Sequence, residues 1–260
     1  MTRVVAGVLT QNQSYYGGPV HHRTNSRPRL PDGIRIYALT DIHGRADLLR
    51  QMFAVIDADL ARTRSARAIH VFLGDYIDRG PDSRGTIDLL LQRAERHECV
   101  FLKGNHEYLM LQMLSDPARY HEWKQFGGLQ TLMSYGVQPI LNPTAADRAD
   151  MVDQLLNALP DRHRGFLRAL KSSYCCGDFF FVHAGVKPGV PLHEQRDEDM
   201  LWIRDEFLGS DQDFGKYIVH GHTPARQPDI RHNRINIDTG AYATGNLTLL
   251  SIQGGSLLAV

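Results

Sequence analysis

The chain has 260 residues, which is long enough for one α/β domain with a full hydrophobic core. Lys plus Arg and Asp plus Glu both total 29, so the balanced charge predicts neither a nucleic acid nor a membrane surface as partner. Because no secretory signal and no long apolar run is present, we expect a cytoplasmic protein without a membrane span.

The first 31 residues differ from the rest in charge and composition. They contain no acidic residue but four arginines, Arg3, Arg23, Arg27 and Arg29. Gly, Ser, Asn, Gln and Pro recur without periodicity, which predicts a disordered basic tail over 1–31 and a single domain over 32–260. A transit-type segment is the alternative, but no amphipathic helical pattern supports it.

From Gly33 to Gly104 the pattern alternates between strands and helices. Short apolar runs rich in β-branched and aromatic residues predict strands over 34–40, 68–74 and 99–104. Helices are predicted over Ala46–Leu60 and Arg84–Glu98. Two consecutive strand–helix–strand units imply parallel pairing and right-handed crossovers, giving a βαβαβ core.

Residues 107–171 are predicted to be helical and to form an insertion beside the sheet. The predicted helices are Tyr108–Leu114, Gln125–Tyr135, Ala145–Leu159 and Arg162–Leu170. From Asp178 the chain returns to strands, which we expect to form a second, mostly antiparallel set. The last of these are Ile235–Ile237, Leu247–Ile252 and Ser256–Val260.

Five apolar runs end on residues that can bind a metal ion. These residues are Asp41 with His43, Asp75, Asn105, His183 and His222. Side chains just past the carboxyl ends of parallel strands converge in one crevice of an α/β sheet. Carboxylate, amide and imidazole donors without a thiolate favour Mn, Fe, Co or Zn over Ca. One such residue is weak evidence, but five in this arrangement indicate a hydrolase with two metal ions.

Five short blocks around these residues resemble a known family. They are Asp41-Ile42-His43-Gly44, Gly74-Asp75-Tyr76-Ile77-Asp78-Arg79-Gly80, Gly104-Asn105-His106-Glu107, His183-Ala184-Gly185 and Gly221-His222-Thr223-Pro224. Over about residues 34–250 the chain resembles the calcineurin-like metallophosphoesterases, and among them the bacterial and phage serine/threonine protein phosphatases. The resemblance implies an α/β fold in which a β-sandwich of mixed sheets is flanked by helices and carries a helical insertion over about 107–171.

The resemblance also implies roles for individual residues. The first metal ion would be held by Asp41, His43 and Asp75, and the second by Asp75, Asn105, His183 and His222. The general acid would be His106, oriented by Asp78, and the groups that contact phosphate would be Arg79, Arg204 and Asn105. Two divalent ions are expected, with manganese first and iron, zinc or cobalt as alternatives.

Physical chemistry supports these roles. Two metal ions activate a bridging hydroxide for in-line attack and stabilise the leaving oxygen. The planar guanidinium group of arginine suits bidentate contact with phosphate oxygens. A serine alkoxide leaves poorly unless it is protonated, which gives His106 a function as acid.

Two departures from the family pattern bear on function. Thr40 stands where the family usually has glycine, which removes no ligand. Pro224 stands where many phosphodiesterase relatives carry a second histidine. The proline leaves the first metal ion with fewer protein ligands and favours the phosphatase branch.

The leading hypothesis is hydrolysis of phosphomonoesters, with a protein phosphorylated on Ser or Thr, or a small phosphoester, as substrate. A symmetrical dinucleoside-tetraphosphate hydrolase is the first alternative. Members of that branch tend to have Ala in place of Asp78 and Asp in place of Glu107, so the sequence favours the phosphatase. A non-catalytic scaffold is the second alternative, and the complete set of ligands and acid argues against it.

Overall fold

The computed structural model describes residues 27–63 and 67–259. The described residues form ten strands: β1 (Ile34–Leu39), β2 (Arg67–Phe72), β3 (Glu98–Phe101), β4 (Ser173–Cys176), β5 (Phe179–Val182), β6 (Tyr217–His220), β7 (Asp229–Ile230), β8 (Arg234–Asn236), β9 (Leu250–Gln253) and β10 (Ser256–Ala259). They also form ten α-helices: α1 (Ala46–Arg62), α2 (Ser83–Ala94), α3 (Asn105–Ser115), α4 (Tyr120–Gln125), α5 (Gly128–Ser134), α6 (Ala145–Ala158), α7 (Asp161–Ala169), α8 (Asp197–Trp202), α9 (Asp205–Leu208) and α10 (Ala241–Thr244).

The strands form two five-stranded mixed sheets with helices on their outer faces, which confirms the predicted α/β fold class. The first sheet has the order β10-β9-β1-β2-β3. Strands β1, β2 and β3 are parallel, as two βαβ units require. Their carboxyl ends therefore meet at one edge of this sheet.

The second sheet has the order β4-β5-β6-β8-β7 and corrects one prediction. Strands β5, β6 and β8 are parallel, and only the edge strands β4 and β7 pair antiparallel. Strands β9 and β10 leave this set and extend the first sheet. The expected antiparallel set was wrong because strand periodicity does not encode the partner. The connection from β5 to β6, with α8 and α9, is long enough for a parallel crossover.

Several helix boundaries also differ from the prediction. The predicted helix Gln125–Tyr135 is not continuous: α4 ends at Gln125 and α5 begins at Gly128, after the left-handed Gly127. Helix α2 ends at Ala94 instead of Glu98, because Glu98 begins β3 and forms an ion pair with Arg67 of β2. Helix α3 begins at Asn105, three residues earlier than predicted, because the Glu107 carboxylate reaches back and accepts from the backbone N–H of the N-cap residue Gly104 at 2.9 Å. The motif residues at 105–107 therefore lie on the first turn of a helix.

The hydrophobic core lies in two main layers. Residues such as Ile36, Val71, Phe181 and Val219 fill the space between the two sheets, while a larger cluster packs the helices onto the first sheet. Helices α3 to α7 occupy the segment between β3 and β4 where the helical insertion is predicted.

The predicted tail falls mainly on residues 1–26, which lie outside the described residues. Its last residues make contacts with the domain: Leu30 is buried and its backbone N–H donates to the Gly254 carbonyl at 2.9 Å. Packing therefore begins before residue 32. Among the described helices, none has both the length and the apolar character needed to cross a bilayer.

Candidate metal centre

Six carboxyl ends of parallel strands, three from each sheet, point toward one site. In the first sheet, β1 is followed by Asp41 and His43, β2 by Asp75, and β3 by Asn105 and His106. In the second sheet, β5 is followed by His183, β6 by His222 and β8 by Asp238. Both sheets therefore contribute side chains to one buried cluster, as strand-end convergence in α/β folds predicts.

The backbone at these strand ends is unusual. Among the described non-glycine residues, six have a positive φ, and all lie in the motif loops: Asp41, His43, Asp75, Asp78, Arg79 and His222. Their φ values lie between 46° and 69°. This left-handed conformation costs about 1–3 kcal/mol for a residue with a side chain, so the surrounding contacts must hold it.

One donor group combines residues from both sheets. Nε2 of His183 lies 2.9 Å from Oδ1 of Asn105, 3.1 Å from Nδ1 of His222 and 3.5 Å from Oδ1 of Asp75. His183, His222 and Asp75 are all buried. These are the four residues that the sequence assigns to the second metal ion, and the fold brings them together.

A second donor group lies on the other side of Asp75. Oδ2 of Asp75 is 3.6 Å from Nε2 of His43 and 3.7 Å from Nε2 of His106. Oδ1 of Asp75 therefore faces the first donor group and Oδ2 faces the second. This is the geometry that a bridging ligand needs. Gly104 permits this position, since a Cβ atom there would lie 2.1 Å from Oδ1 of Asp75.

Asp41 lies beside both donor groups, close enough for its charge to act on His43, Asp75 and His183. The group around His43 and Asp75 contains His106, whereas Asp41 belongs to neither group of three. Oδ2 of Asp41 instead accepts hydrogen bonds from Thr40 Oγ1 at 2.5 Å and from the His222 backbone N–H at 3.1 Å. Thr40, the departure from the family glycine, therefore orients this carboxylate.

Backbone carbonyls fix the tautomers of two histidines. Nδ1 of His43 donates to the Ile77 carbonyl at 2.9 Å, and Nδ1 of His183 donates to the Leu73 carbonyl at 3.0 Å. Each ring consequently presents Nε2 as a lone pair toward Asp75. This is the arrangement that orients histidine ligands in metal sites.

The electrostatics of the cluster favour bound cations. Burial, together with the negative charges of Asp41 and Glu107, raises the pKa of Asp75 well above its usual value. Burial also lowers the pKa of His43, His183 and His222, which keeps these rings neutral. In the described residues, the ion-pair contacts of Asp75 are all with histidines. Buried acceptor atoms without a balancing positive charge fit a divalent ion, and the nitrogen and oxygen donors fit a transition metal.

His106 is bound to a buried carboxylate. Nδ1 of His106 lies 2.8 Å from Oδ2 of Asp78, while Nε2 has no hydrogen-bond partner among the described residues. Asp78 also accepts from Trp123 Nε1 at 2.9 Å and from Thr131 Oγ1 at 2.6 Å. Burial raises the pKa of Asp78 to about 7, and these hydrogen bonds oppose the rise. The predicted acid and its orienting group are therefore in contact.

The two predicted phosphate-binding arginines lie at the edge of the cluster. The Arg79 guanidinium is half-buried, and its Cζ atom lies 4.7 Å from the centroid of the Tyr242 ring. Arg204 is exposed, and its Nη1 donates to Thr223 Oγ1 at 3.1 Å. Both guanidinium groups lower the pKa of the buried Asp238, so both exert their charge on the same region.

Sequence reasoning missed two residues of this site. Asp238 is buried, and its Oδ2 has no hydrogen-bond partner among the described residues. Burial, with help from the Asp41 charge, raises the pKa of Asp238 to about 8. The signal was present, because the predicted strand Ile235–Ile237 is followed directly by an acidic residue, as the other strands are followed by candidate donors.

Glu107 is the second missed residue. Its carboxylate accepts from four backbone N–H groups, those of Asp75, Tyr76, Ile77 and Gly104, at 2.8–3.3 Å. Glu107 therefore ties the loop after β2 to the start of α3. No local pattern in the sequence reveals the contacts with residues 75–77, since these residues lie about thirty positions away.

Aromatic rings surround the cluster. Phe126 lies 5.7 Å from the His106 ring, and Trp202 lies 5.7 Å from Phe126 and 6.2 Å from His222. On another side, Tyr242 lies 5.4 Å from the His43 ring. The buried polar groups are thus bounded by apolar surface, which strengthens electrostatic interactions between them.

Comparison with known proteins identifies the family. The calcineurin-like phosphoesterase model matches residues 34–249, so the chain belongs to this family. The family uses a dinuclear divalent metal centre, and the donor groups described above are candidates for its ligands.

Individual relatives are more distant. A bis(5'-nucleosyl)-tetraphosphatase PrpE (asymmetrical) of Bacillus velezensis is 25% identical, covering 81% of this chain and 86% of the relative. A protein of the same name from Halalkalibacterium halodurans is 26% identical, covering 81% and 87%. The crystal structure of a candidate diadenosine tetraphosphatase superposes with a TM-score of 0.57 at 18% identity, covering 87% of this chain and 92% of that one, and supports the fold.

Proposed function

We propose that this metallophosphoesterase hydrolyses dinucleoside tetraphosphates. The observation that carries the proposal is the match, over more than four fifths of both chains, to relatives named as bis(5'-nucleosyl)-tetraphosphatases. This revises the preference for a protein phosphatase that the sequence suggested. The names of the relatives specify asymmetrical cleavage, whereas the alternative drawn from the sequence was symmetrical.

The residues of the site suit such a substrate. When bound, two divalent ions supply Lewis acidity and an activated water. We assign Asp41, His43, Asp75, Asn105, His183 and His222 to holding them, with Asp75 shared between both. Arg79 and Arg204 would bind the charged phosphate oxygens through their planar guanidinium groups and orient the chain of phosphates.

The leaving group explains why an anhydride is a plausible substrate for this site. Cleavage of a tetraphosphate chain releases a nucleotide phosphate, which is a weak base and leaves without being protonated. His106 would then serve mainly to orient the transferred group, with its ring held by Asp78. The proposal therefore predicts that turnover of a dinucleoside tetraphosphate does not depend on proton donation by His106.

One observation favours a second candidate, hydrolysis of phosphoserine or phosphothreonine. The hydrogen bond of 2.8 Å between His106 Nδ1 and Asp78 Oδ2 is the contact that a general acid for an alkoxide leaving group needs. A nucleotide leaving group does not require a general acid. The contact between His106 and Asp78 therefore keeps the phosphomonoester reaction as an alternative.

A substrate comparison tests the proposal. Enzyme stripped of metal and resupplied with manganese is given diadenosine tetraphosphate, a phosphoserine peptide and p-nitrophenyl phosphate, each at matched concentration. We expect the highest kcat/KM on diadenosine tetraphosphate, with ATP and AMP as products. Two molecules of ADP would indicate the symmetrical reaction, and a higher kcat/KM on the peptide would favour the second candidate.

Two controls make this comparison interpretable. Asp75→Asn enzyme purified in the same way should be inactive on all three substrates, which excludes a contaminating phosphatase. Resupply with calcium in place of manganese should restore little activity, because imidazole and amide donors bind calcium weakly.

The reaction is expected in the cytoplasm, the location that the sequence predicts.

A further inference from the structure

Tyr242 is an exposed aromatic side chain at the edge of the metal centre. It retains 40% of its surface exposed, although it lies beside two groups of the site. Its ring centroid is 4.7 Å from Arg79 Cζ, and the Tyr242 and His43 rings form a T-shaped pair with centroids 5.4 Å apart. Arg79 Cζ lies over the ring, and the exposed part of the side chain remains in contact with solvent.

The turn that carries Tyr242 is well anchored. Tyr242 lies in α10, a single turn bounded by Gly240 and Gly245, both with left-handed backbone. Arg45 Nη1 donates to the Ala241 carbonyl at 3.0 Å, and Thr244 Oγ1 donates to the Thr239 carbonyl at 2.9 Å. An exposed aromatic residue on a fixed turn has little entropy to lose when a ligand contacts it.

The other aromatic residues at the site have a different environment. Phe126 and Trp202 are only partly exposed, and they pack edge-to-face against each other and against His106 and His222. Their rings form part of the wall. Tyr242 is the one of these three rings that is both exposed and stacked on a phosphate-binding arginine.

We infer that Tyr242 stacks on a nucleobase of the substrate. This rests on the proposed dinucleoside tetraphosphatase function. With Arg79 bound to the phosphate chain, the nucleoside end of the same molecule extends away from the metal centre and past Arg79. The Tyr242 ring lies beside Arg79, and every nucleobase has a flat π-face that stacks on an aromatic side chain without regard to sequence. The guanidinium on the opposite face holds the ring in position.

A simpler role for Tyr242 would be to position Arg79. In that case its loss would weaken every phosphate substrate equally, because all of them contact Arg79. A nucleobase contact instead weakens only substrates that carry a base. Inorganic tetraphosphate presents the same four phosphates without bases and separates the two roles.

The test compares Tyr242→Ala and Tyr242→Phe in the manganese-loaded enzyme. For Tyr242→Ala we expect the KM for diadenosine tetraphosphate to rise roughly 10- to 100-fold, the scale of a lost base–aromatic stack. The ratio of kcat/KM for diadenosine tetraphosphate to that for inorganic tetraphosphate should fall by a similar factor. Tyr242→Phe keeps the ring and should restore both quantities.

Binding gives a second readout that does not depend on turnover. A methylene-bridged, non-hydrolysable analogue of diadenosine tetraphosphate should bind Tyr242→Ala roughly 10- to 100-fold more weakly by calorimetry, and Tyr242→Phe as wild type. Equal losses for both tetraphosphate substrates, or no loss for either, would overturn the stacking role while leaving the proposed function intact. If the wild-type enzyme does not hydrolyse diadenosine tetraphosphate, the proposed function and the stacking role fail together.

Discussion

Among the described residues, two groups of neighbouring histidines can be compared, and one of them has the features of a metal site. The metal centre combines His43, His106, His183 and His222 with Asp75. The second cluster, which we call the His70 cluster, contains His70, His97, Arg93 and Asp57. It lies between β2 and helices α1 and α2, beside a cavity of about 540 Å³ lined by Phe53, Asp57, Leu89, Gln92, Arg93, Glu95, Arg96 and His97.

The polar groups of the His70 cluster balance one another. Arg93 Nε donates to His70 Nδ1 at 3.1 Å, and Arg93 Nη2 pairs with Asp57 at 2.6 Å. His97 stacks on His70 with the ring centroids 4.9 Å apart. His70 lies within β2, where the backbone is regular. The Arg93 guanidinium therefore supplies the positive charge that balances the Asp57 carboxylate in this cluster.

In the candidate metal centre, by contrast, the ion-pair contacts of the buried Asp75 carboxylate are all with histidines. The neutral rings of His183 and His222 face one another, and four of the six candidate ligands, Asp41, His43, Asp75 and His222, have left-handed backbone past the strand ends. The comparison teaches that burial of a histidine does not identify a metal site. The candidate metal centre is distinguished by its position at the strand ends and, among the described residues, by the absence of an Arg or Lys in ion-pair contact with Asp75.

The largest expected effect is that of Asp75→Asn. One residue is proposed to serve both ions, so the change should lower metal affinity by more than the roughly 10- to 100-fold seen when groups behind the ligands are lost, and should abolish turnover. Metal content after dialysis, measured by mass spectrometry, checks this. The matched control is Asp57→Asn in the His70 cluster, which should retain both ions. Retention of two ions by Asp75→Asn would show that it does not bridge them.

The next effect in size depends on the leaving group. We expect His106→Asn to reduce kcat/KM on a phosphoserine peptide by about 10²–10⁴-fold, because the serine alkoxide needs a proton. On diadenosine tetraphosphate and p-nitrophenyl phosphate the loss should be much smaller, with metal content unchanged. His97→Asn makes the same replacement in the His70 cluster and should affect none of these rates. Equal losses on all three substrates would assign His106 to metal or phosphate binding.

Glu107→Gln tests how the left-handed turns are held. The carboxylate accepts from four backbone N–H groups, and an amide replaces one acceptor oxygen with a donor. We expect the free energy of unfolding to fall by about 2–3 kcal/mol, the scale of buried hydrogen bonds to a charged group. Urea unfolding measures this. Glu98→Gln removes an exposed ion pair to Arg67 and should change the free energy of unfolding by less than about 1 kcal/mol. Similar losses for both variants would contradict the role of Glu107.

The smallest expected effect is a pH dependence in the His70 cluster. Burial lowers the pKa of His70 to about 3, below the value near 6.5 expected in the unfolded chain. His70 therefore contributes stability that is present above pH 6.5 and is lost as the pH falls toward 3. Between pH 7 and pH 5, the wild type should lose about 1–2 kcal/mol more unfolding free energy than His70→Gln. Parallel pH profiles for the two proteins would mean that His70 does not titrate in this way.

Much of the first sheet could be predicted from the sequence. The run Ile34–Leu39 and its two successors have local apolar patterns, and their spacing of about thirty residues requires crossover helices. The partners of β9 and β10 could not be predicted, because both strands look like any short apolar run. Their pairing with β1 depends on a sheet edge that forms about two hundred residues earlier in the chain.

By itself, the sequence indicated most of the positions that carry candidate donor side chains, since a predicted strand that ends on an acid, amide or imidazole is a local pattern. Tertiary structure decided which atoms of those side chains meet. Nε2 of His183 is presented to Asp75 because a carbonyl 110 residues away holds Nδ1. Asp238, Glu107 and Tyr242 join the site through contacts of the same long-range kind. A ring orientation or a shared charge depends on distances in space, and these arise only when both sheets pack together.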